Sequence, residues 1–350
     1  FRCSGRCPDA QGDGLGQHRR RFFTSVGPLT ALLVGKHLKH LGFHLGLGLL
    51  FQEAAPGSPS GVAAQRELLR SRQCHPLFLR QANDRYHGGG KRSWRVRFHT
   101  GYYLRARDNF GREYPERWRT LNIGKMFDNL SVGNFGLTET LNSILWNMVG
   151  VPAPHFHTFH FRVVDGAAEA PSGSNGQYYG DFWGMFSAVE DYDARFVEAH
   201  GMPDGNLYKL KDGVFDGNQL KRNQGRYSVT TDADFQNIRA NLRPTKTAAW
   251  LDEHVRYDKW YPYHTVVEAI RHYDFVPADS HSKNRAWFFE PDPDSPFGRL
   301  WTLPHDSDAS WGPNWNSGID YSKAAIWSGT GREPFRVAYR NNMREFRDLV

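Results

Sequence analysis

The sequence predicts an α+β fold, strand-rich in its N-terminal lobe and helical in its C-terminal lobe. Two observations carry this. Segments that alternate apolar and polar residues concentrate before residue 190, and segments with helical spacing dominate after 191. Hydrophobic residues make up 39% and charged residues 23%, a globular balance rather than a disordered one. At 350 residues, the length suits one large two-lobed domain plus an appendage.

Residues 1–76 differ in texture and are expected to be a leader or poorly ordered flank. All three cysteines (Cys3, Cys7, Cys74) fall here, too few for a disulfide framework. A basic cluster at His18–Arg21 precedes an apolar run from Phe22 to Gly35, a pattern similar to a secretory signal, although Lys36 and Lys39 follow at once. The folded domain is expected over 77–350, with an N-lobe at about 84–190 and a C-lobe at about 191–350.

Ser93–Phe98 reads as a strand with Trp94, Val96 and Phe98 on one face and Arg95 and Arg97 on the other. Leu137–Val149 reads as a helix with Leu137, Leu141, Ile144, Leu145 and Met148 on one face, stopped by Gly150 and Pro152. His155–Val164 and Tyr178–Glu190 form a hairpin with a long loop. A short helix at Asp191–Gly201 and an extended Asn206–Lys209 follow. Helices are expected at Phe235–Leu242, Ala248–Arg256 and Tyr263–His272. Two short strands, Ala286–Glu290 and Arg299–Leu303, flank a turn at Pro291–Gly298. The last run, Glu333–Val350, reads as an uncapped helix, so the domain is expected to be truncated at its C-terminus.

The chemistry concentrates in Pro277–Gly312. Asp279 and Asn284 are five residues apart, a predicted hairpin follows, and Asp306-Ser307-Asp308 comes next. Phosphoryl transfer needs a carboxylate to orient or accept the proton of the attacking hydroxyl, and oxygen ligands for the metal ions that bridge the phosphates. Protein kinases take these from D-x-x-x-x-N, a short hairpin and then a metal-binding Asp. This chain has the same order. Either piece alone is common, since Asp and Asn also build turns, and that plainer role is expected of Asp292 and Asp294.

Four blocks carry a family resemblance over about residues 84–350. They are Gly90–Phe98 (GKRSWRVRF), Gly176–Glu190 (GQYYGDFWGMFSAVE), Gly205–Lys209 (GNLYK), and Asp279-x-His-x-x-Asn284 followed by Leu303–Gly312 (LPHDSDASWG). Together they resemble the CotH-type (spore coat protein H) atypical protein kinases. The resemblance implies a divergent, two-lobed, protein-kinase-like fold that phosphorylates protein Ser/Thr hydroxyls with ATP and Mg²⁺ or Mn²⁺. By matching position, Asp279 is the expected catalytic residue. Asn284 and Asp306 are the expected metal ligands, with Asp308 a second candidate in the same loop. His305 stands where the family has Trp. A coat or surface protein as substrate, and an extracellular or spore-associated setting, follow from the resemblance alone.

A nucleotide site also needs cations for the phosphates. Lys91, Arg95, Arg97 and Lys209 qualify, and Lys209 is favoured for its apolar neighbours Leu207, Tyr208 and Leu210. A solvated basic face is the plainer reading of Arg95 and Arg97. Glu190, ending a strand, is expected to pair with a basic residue or hold the interlobe hinge. His155, His157 and His160 suggest a metal, although a structural role is the favoured reading. The excess of 44 Lys+Arg over 37 Asp+Glu is scattered; it fits phosphate ligands rather than nucleic acid. No apolar stretch reaches the ~18 residues of a membrane span. Two other classes fit less of the sequence. One is a non-catalytic coat or adhesion module that keeps the fold. The other is a glycosyltransferase using Asp306-Ser307-Asp308 on a metal–nucleotide-sugar.

Overall fold

A computed structural model describes residues 30–34, 48–52, 67–69, 78–81, 93–126, 136–164, 182–210, 220–223, 225, 231–272, 274, 284–312 and 324–350. The three cysteines and the basic cluster at 18–21 lie outside them. In chain order the first elements are β1 (Thr30–Val34), β2 (Gly48–Gln52), β3 (Glu67–Leu69), β4 (Phe78–Gln81), β5 (Trp94–Arg97) and β6 (Thr120–Gly124). Then come α1 (Thr138–Met148), β7 (Phe156–Val164), β8 (Phe182–Glu190) and α2 (Ala194–Ala199). The remainder is β9 (Asn206–Leu210), β10 (Leu220–Asn223), α3 (Ala233–Asn241), α4 (Ala248–His254), α5 (Tyr257–Ala269), β11 (Arg285–Asp292), β12 (Ser295–Pro304) and α6 (Glu333–Leu349). The fold is mixed α and β, with largely antiparallel sheets.

Eight strands form one sheet in the order β3-β2-β1-β7-β8-β6-β5-β4. Its one parallel pairing is β1 with β7. The alternation expected at β5 holds. Val96 and Phe98 are buried with Leu121, Phe159, Phe161 and Phe186, and Trp94 packs against that cluster. Arg97, one position on from Val96, is exposed.

Four strands form a second sheet in the order β10-β9-β11-β12. Both of its faces are covered, which explains the aromatic run Trp287-Phe288-Phe289. Trp287 and Phe289 pack with Tyr208, Leu300 and residues of α3, α4 and α5. Ala286 and Phe288 face the other way and pack with Leu207, Trp301, Leu303 and Phe196 of α2. Gly205 lets β9 approach β11, because a Cβ there would stand 2.1 Å from the Phe289 carbonyl oxygen.

Two elements differ from the sequence expectation. α5 starts at Tyr257, not Tyr263, and runs through Pro262. A proline inside a helix forfeits one backbone bond. Here the helix is held from several sides, with Tyr257, Trp260, Tyr263, Val266 and Val267 all buried. The β11–β12 hairpin is also longer than expected, so the Pro291–Gly298 loop shrinks to a tight turn. Asp292 is a turn former as expected, accepting from the Asp294 backbone N–H at 2.9 Å. Gly298 (φ +66°) admits a register shift near Glu290, where a Cβ would meet the Glu290 carbonyl oxygen at 2.3 Å.

α1 forms as the period predicts, but its faces are reversed. An apolar helical stripe is ordinarily buried. Instead Leu141, Ile144 and Met148 are exposed, while Thr138, Asn142, Ser143 and Trp146 are buried. The inner face is fixed by hydrogen bonds: Trp146 Nε1 donates to the Tyr263 carbonyl at 3.2 Å, and Ser143 Oγ donates to the Pro154 carbonyl. α6 closes against α5, where Tyr339 is buried and its hydroxyl donates to Glu268 at 2.5 Å. No helix among the described residues is long and apolar enough to cross a membrane.

Candidate active site

A cavity of about 510 Å³ lies between the end of the first sheet, α1, and the edge of the second sheet where β9 and β12 finish. That volume is in the range of small-molecule sites. Trp94 and Arg95 of β5, Glu190 of β8, Glu139 of α1, Lys209 of β9 and Asp306 after β12 all line it.

Lys209 reaches the cavity because of strand alternation. In β9, Asn206 and Tyr208 point to one face, Leu207 and Lys209 to the other. The first pair anchors the strand. Asn206 Nδ2 donates to Asp234 Oδ2 at 2.8 Å, and the Tyr208 hydroxyl donates to Asp234 Oδ1 at 2.6 Å. Asp234 lies on α3 and is buried. The Gly205–Lys209 block therefore divides into structural ties on one side and a lysine on the other.

Hairpin register explains how residues 22 apart in sequence share one end of the sheet. Arg285 pairs with Pro304, so Asn284 and Asp306 both emerge at the hairpin's base. Each adopts a left-handed backbone, at φ +60° and +56° respectively. Asn and Asp tolerate this region better than other non-glycine residues. Asn284 is buried, and its Nδ2 donates to the Asp274 carbonyl at 2.8 Å.

The loop after Asp306 is stapled to α1 by Asn142, which is 0% exposed. Its Nδ2 donates to the Ser307 carbonyl at 2.9 Å and to Ser310 Oγ at 2.9 Å, with Ser307 Oγ at 3.1 Å. Its Oδ1 accepts from the Trp311 indole N–H at 2.7 Å. The Trp311 backbone N–H donates to the Ile270 carbonyl at 2.7 Å, tying the same loop to the end of α5.

Electrostatically, the site is a group of carboxylates beside one lysine. Although part of its surface opens to the cavity, burial pushes the Glu139 carboxyl up to about 8; Asp308 and Asp306 add to the rise and Lys209 opposes it. Burial also lifts Asp308, to about 7, with Asp306 and Asp274 contributing. Carboxylates close enough to raise a neighbour in this way form a site that favours a cation.

Glu190 sits differently. Burial alone would raise its pKa, but the imidazoles of His155 and His200 outweigh that and hold it down to about 2. Arg95 pairs with the buried Asp191 at the cavity wall, and Asn122 donates to the same carboxylate at 3.3 Å. His305 lines the cavity with its ring edge-on to Tyr192, 6.4 Å between centroids.

Of the residues expected from sequence, Lys209, Arg95, Glu190 and Asp306 line the cavity. Asn284 and Asp308 do not line it: Asn284 is buried and bonds the Asp274 carbonyl, Asp308 follows Ser307 of the cavity wall, and Arg97 is exposed outside it. Asp279 and Lys91 lie outside the described residues. Glu139, Asn142 and Asp274 were not expected. Glu139 gave no distinct signal, because an acid in a helix's first turn reads equally as a complement to the helix dipole.

A family model described as CotH kinase protein matches residues 85–345. Comparison with curated proteins gave no match.

Proposed function

Because the chain belongs to the CotH kinase family, we propose that it transfers the terminal phosphoryl group of ATP to Ser/Thr hydroxyls of a protein, with Mg²⁺ or Mn²⁺. The first sheet with α1 serves as the N-lobe, the second sheet with α2 to α6 serves as the C-lobe, and the cavity between them takes the nucleotide. One observation carries this reading. Glu139 of α1 meets Asp306 and Asp308 of the loop after β12 beside Lys209, and the two loop carboxylates raise its affinity for positive charge.

The donor set fits a hard divalent ion, which takes carboxylate and amide oxygens. Asp306, Asn284 and Asp308 would hold it, and it would supply positive charge to the phosphate oxygens. Lys209 contacts the phosphates, and Glu139 keeps its ammonium group in place. Asp279 receives the proton of the acceptor hydroxyl. The acceptor oxygen forms its bond to the γ-phosphorus as the bond from phosphorus to the bridging oxygen breaks, and ADP leaves. Arg95, held by Asp191, and Glu190, held by two histidines, shape the opposite wall.

The test uses γ-labelled ATP and labelled nucleotide-sugars in parallel, with mixed protein acceptors, in Mg²⁺ and in EDTA. Label transfer from ATP alone, lost in EDTA and in Asp306→Ala, is the expected result. Transfer from a nucleotide-sugar instead would establish the glycosyltransferase. Equal ATP affinity in EDTA and in Mg²⁺, with no transfer, would make the chain a non-catalytic coat or surface module.

A further inference from the structure

A second set of ligand-type atoms converges where β7, β8 and α2 meet. Glu190 Oε2 stands 2.9 Å from Nδ1 of His155 and 3.0 Å from Nε2 of His200. All three atoms lie within 4.8 Å of one another. Each comes from a different element: His155 precedes β7, Glu190 ends β8, and His200 caps α2. The backbone fixes the first pair, since the Glu190 N–H donates to the His155 carbonyl at 3.0 Å.

Two further facts point to a ligand. Nδ1 of His155 is buried against the carboxylate at ion-pair distance, yet the angle between them falls short of a hydrogen bond. A buried nitrogen left in that state is costly unless something else takes its lone pair. Both rings are also clamped from outside, His155 by Tyr114 and His200 by Phe196, each at 4.2 Å between centroids.

We propose that His155, Glu190 and His200 form a second cation site, for a borderline divalent ion of the zinc class, distinct from the oxygen-only site at Asp306. Two imidazole nitrogens and one carboxylate suit Zn²⁺ or Co²⁺, whereas Mg²⁺ prefers oxygen alone. Metal bonds of ~2.0–2.2 Å in a tetrahedron hold donors roughly 3.3–3.5 Å apart. The two short edges therefore need to open by only a few tenths of an ångström. The rings now stack at 4.6 Å and 18°, and they tilt apart on binding, because the nitrogen lone pair lies in the ring plane. The ion ties β7, β8 and α2 together at the cavity wall, and Glu190 leaves it open to the cavity.

The probe is Co²⁺, titrated into tag-free, chelator-stripped full-length chain in excess Mg²⁺. One equivalent is expected to give a visible d–d band that Mg²⁺ does not displace. His155→Gln and His200→Gln keep side chains of similar reach and are each expected to weaken it by more than the ~10–100-fold typical of changes around a ligand. Asp306→Ala is expected to keep it. Independently of any variant, the Co²⁺-loaded wild type is expected to show hyperfine-shifted signals from two imidazoles. Three results overturn the proposal: no Mg²⁺-resistant band, a band unchanged in both histidine variants, or a thiolate charge-transfer band with fewer than two imidazole signals, which places the ion on cysteine.

Discussion

Replacing Asn142 with alanine tests whether α1 positions the Asp306 loop. The side chain is fully buried, donates through both amide protons and accepts from the Trp311 indole at 2.7 Å. Three such bonds, at about 1 kcal/mol net each, set the scale, and each buried partner left unsatisfied adds ~1–3 kcal/mol. Two features keep the total near the lower end. The Ser307 carbonyl retains a bond from Ser310 Oγ at 2.9 Å, and Trp311 is 46% exposed, so water reaches its indole. The expected loss is about 3 kcal/mol, read as a lower urea midpoint at unchanged slope. The loop keeps its tie to the Ile270 carbonyl, so it loosens rather than detaches. Titration calorimetry is therefore expected to show at least ~10-fold weaker binding of ATP in Mg²⁺, equivalent to ~1.4 kcal/mol, with little change in EDTA. A variant that loses under ~1 kcal/mol and binds Mg²⁺-ATP as the wild type does would refute the stapling role.

Asp279→Ala is expected to lower turnover by ~10²–10⁴-fold, the range for a general base, with nucleotide affinity largely intact; initial rates and calorimetry on the same preparation separate the two. The Glu139 carboxyl is raised in the folded chain, so its contribution to stability is full below the unfolded pKa and lost as pH rises through about 8. Melting in EDTA is accordingly expected to fall from about pH 5 to about pH 8, less steeply in Glu139→Gln, and Mg²⁺ is expected to restore the wild type at the alkaline end. A wild-type slope identical to that of Glu139→Gln would count against the carboxylate group. Asp234→Ala removes the acceptor shared by Asn206 and Tyr208; a loss of ~3–5 kcal/mol is expected by urea unfolding, and a loss under ~1 kcal/mol would show that β9 is held by its strand neighbours alone.

Local physics made much of this fold legible in the sequence. Alternation placed β5, helical period placed α1 and α6, and Gly150 ended α1, because each depends on residues within a few positions. The Asn284-to-Asp306 step was readable for the same reason: an antiparallel hairpin returns the chain to its starting edge whatever its exact length. Tertiary structure alone decided which face of α1 turned inward. Its apolar stripe suggested one face, but the buried face is the polar one, since Asn142 and Trp146 find partners more than a hundred residues away. Glu139 joined the site through the same contacts. Sequence expected a basic partner for Glu190 without saying which, and packing gave it two histidines from separate elements. Period and spacing report on near neighbours along the chain, whereas a buried polar group is defined by partners that only the folded chain brings within reach.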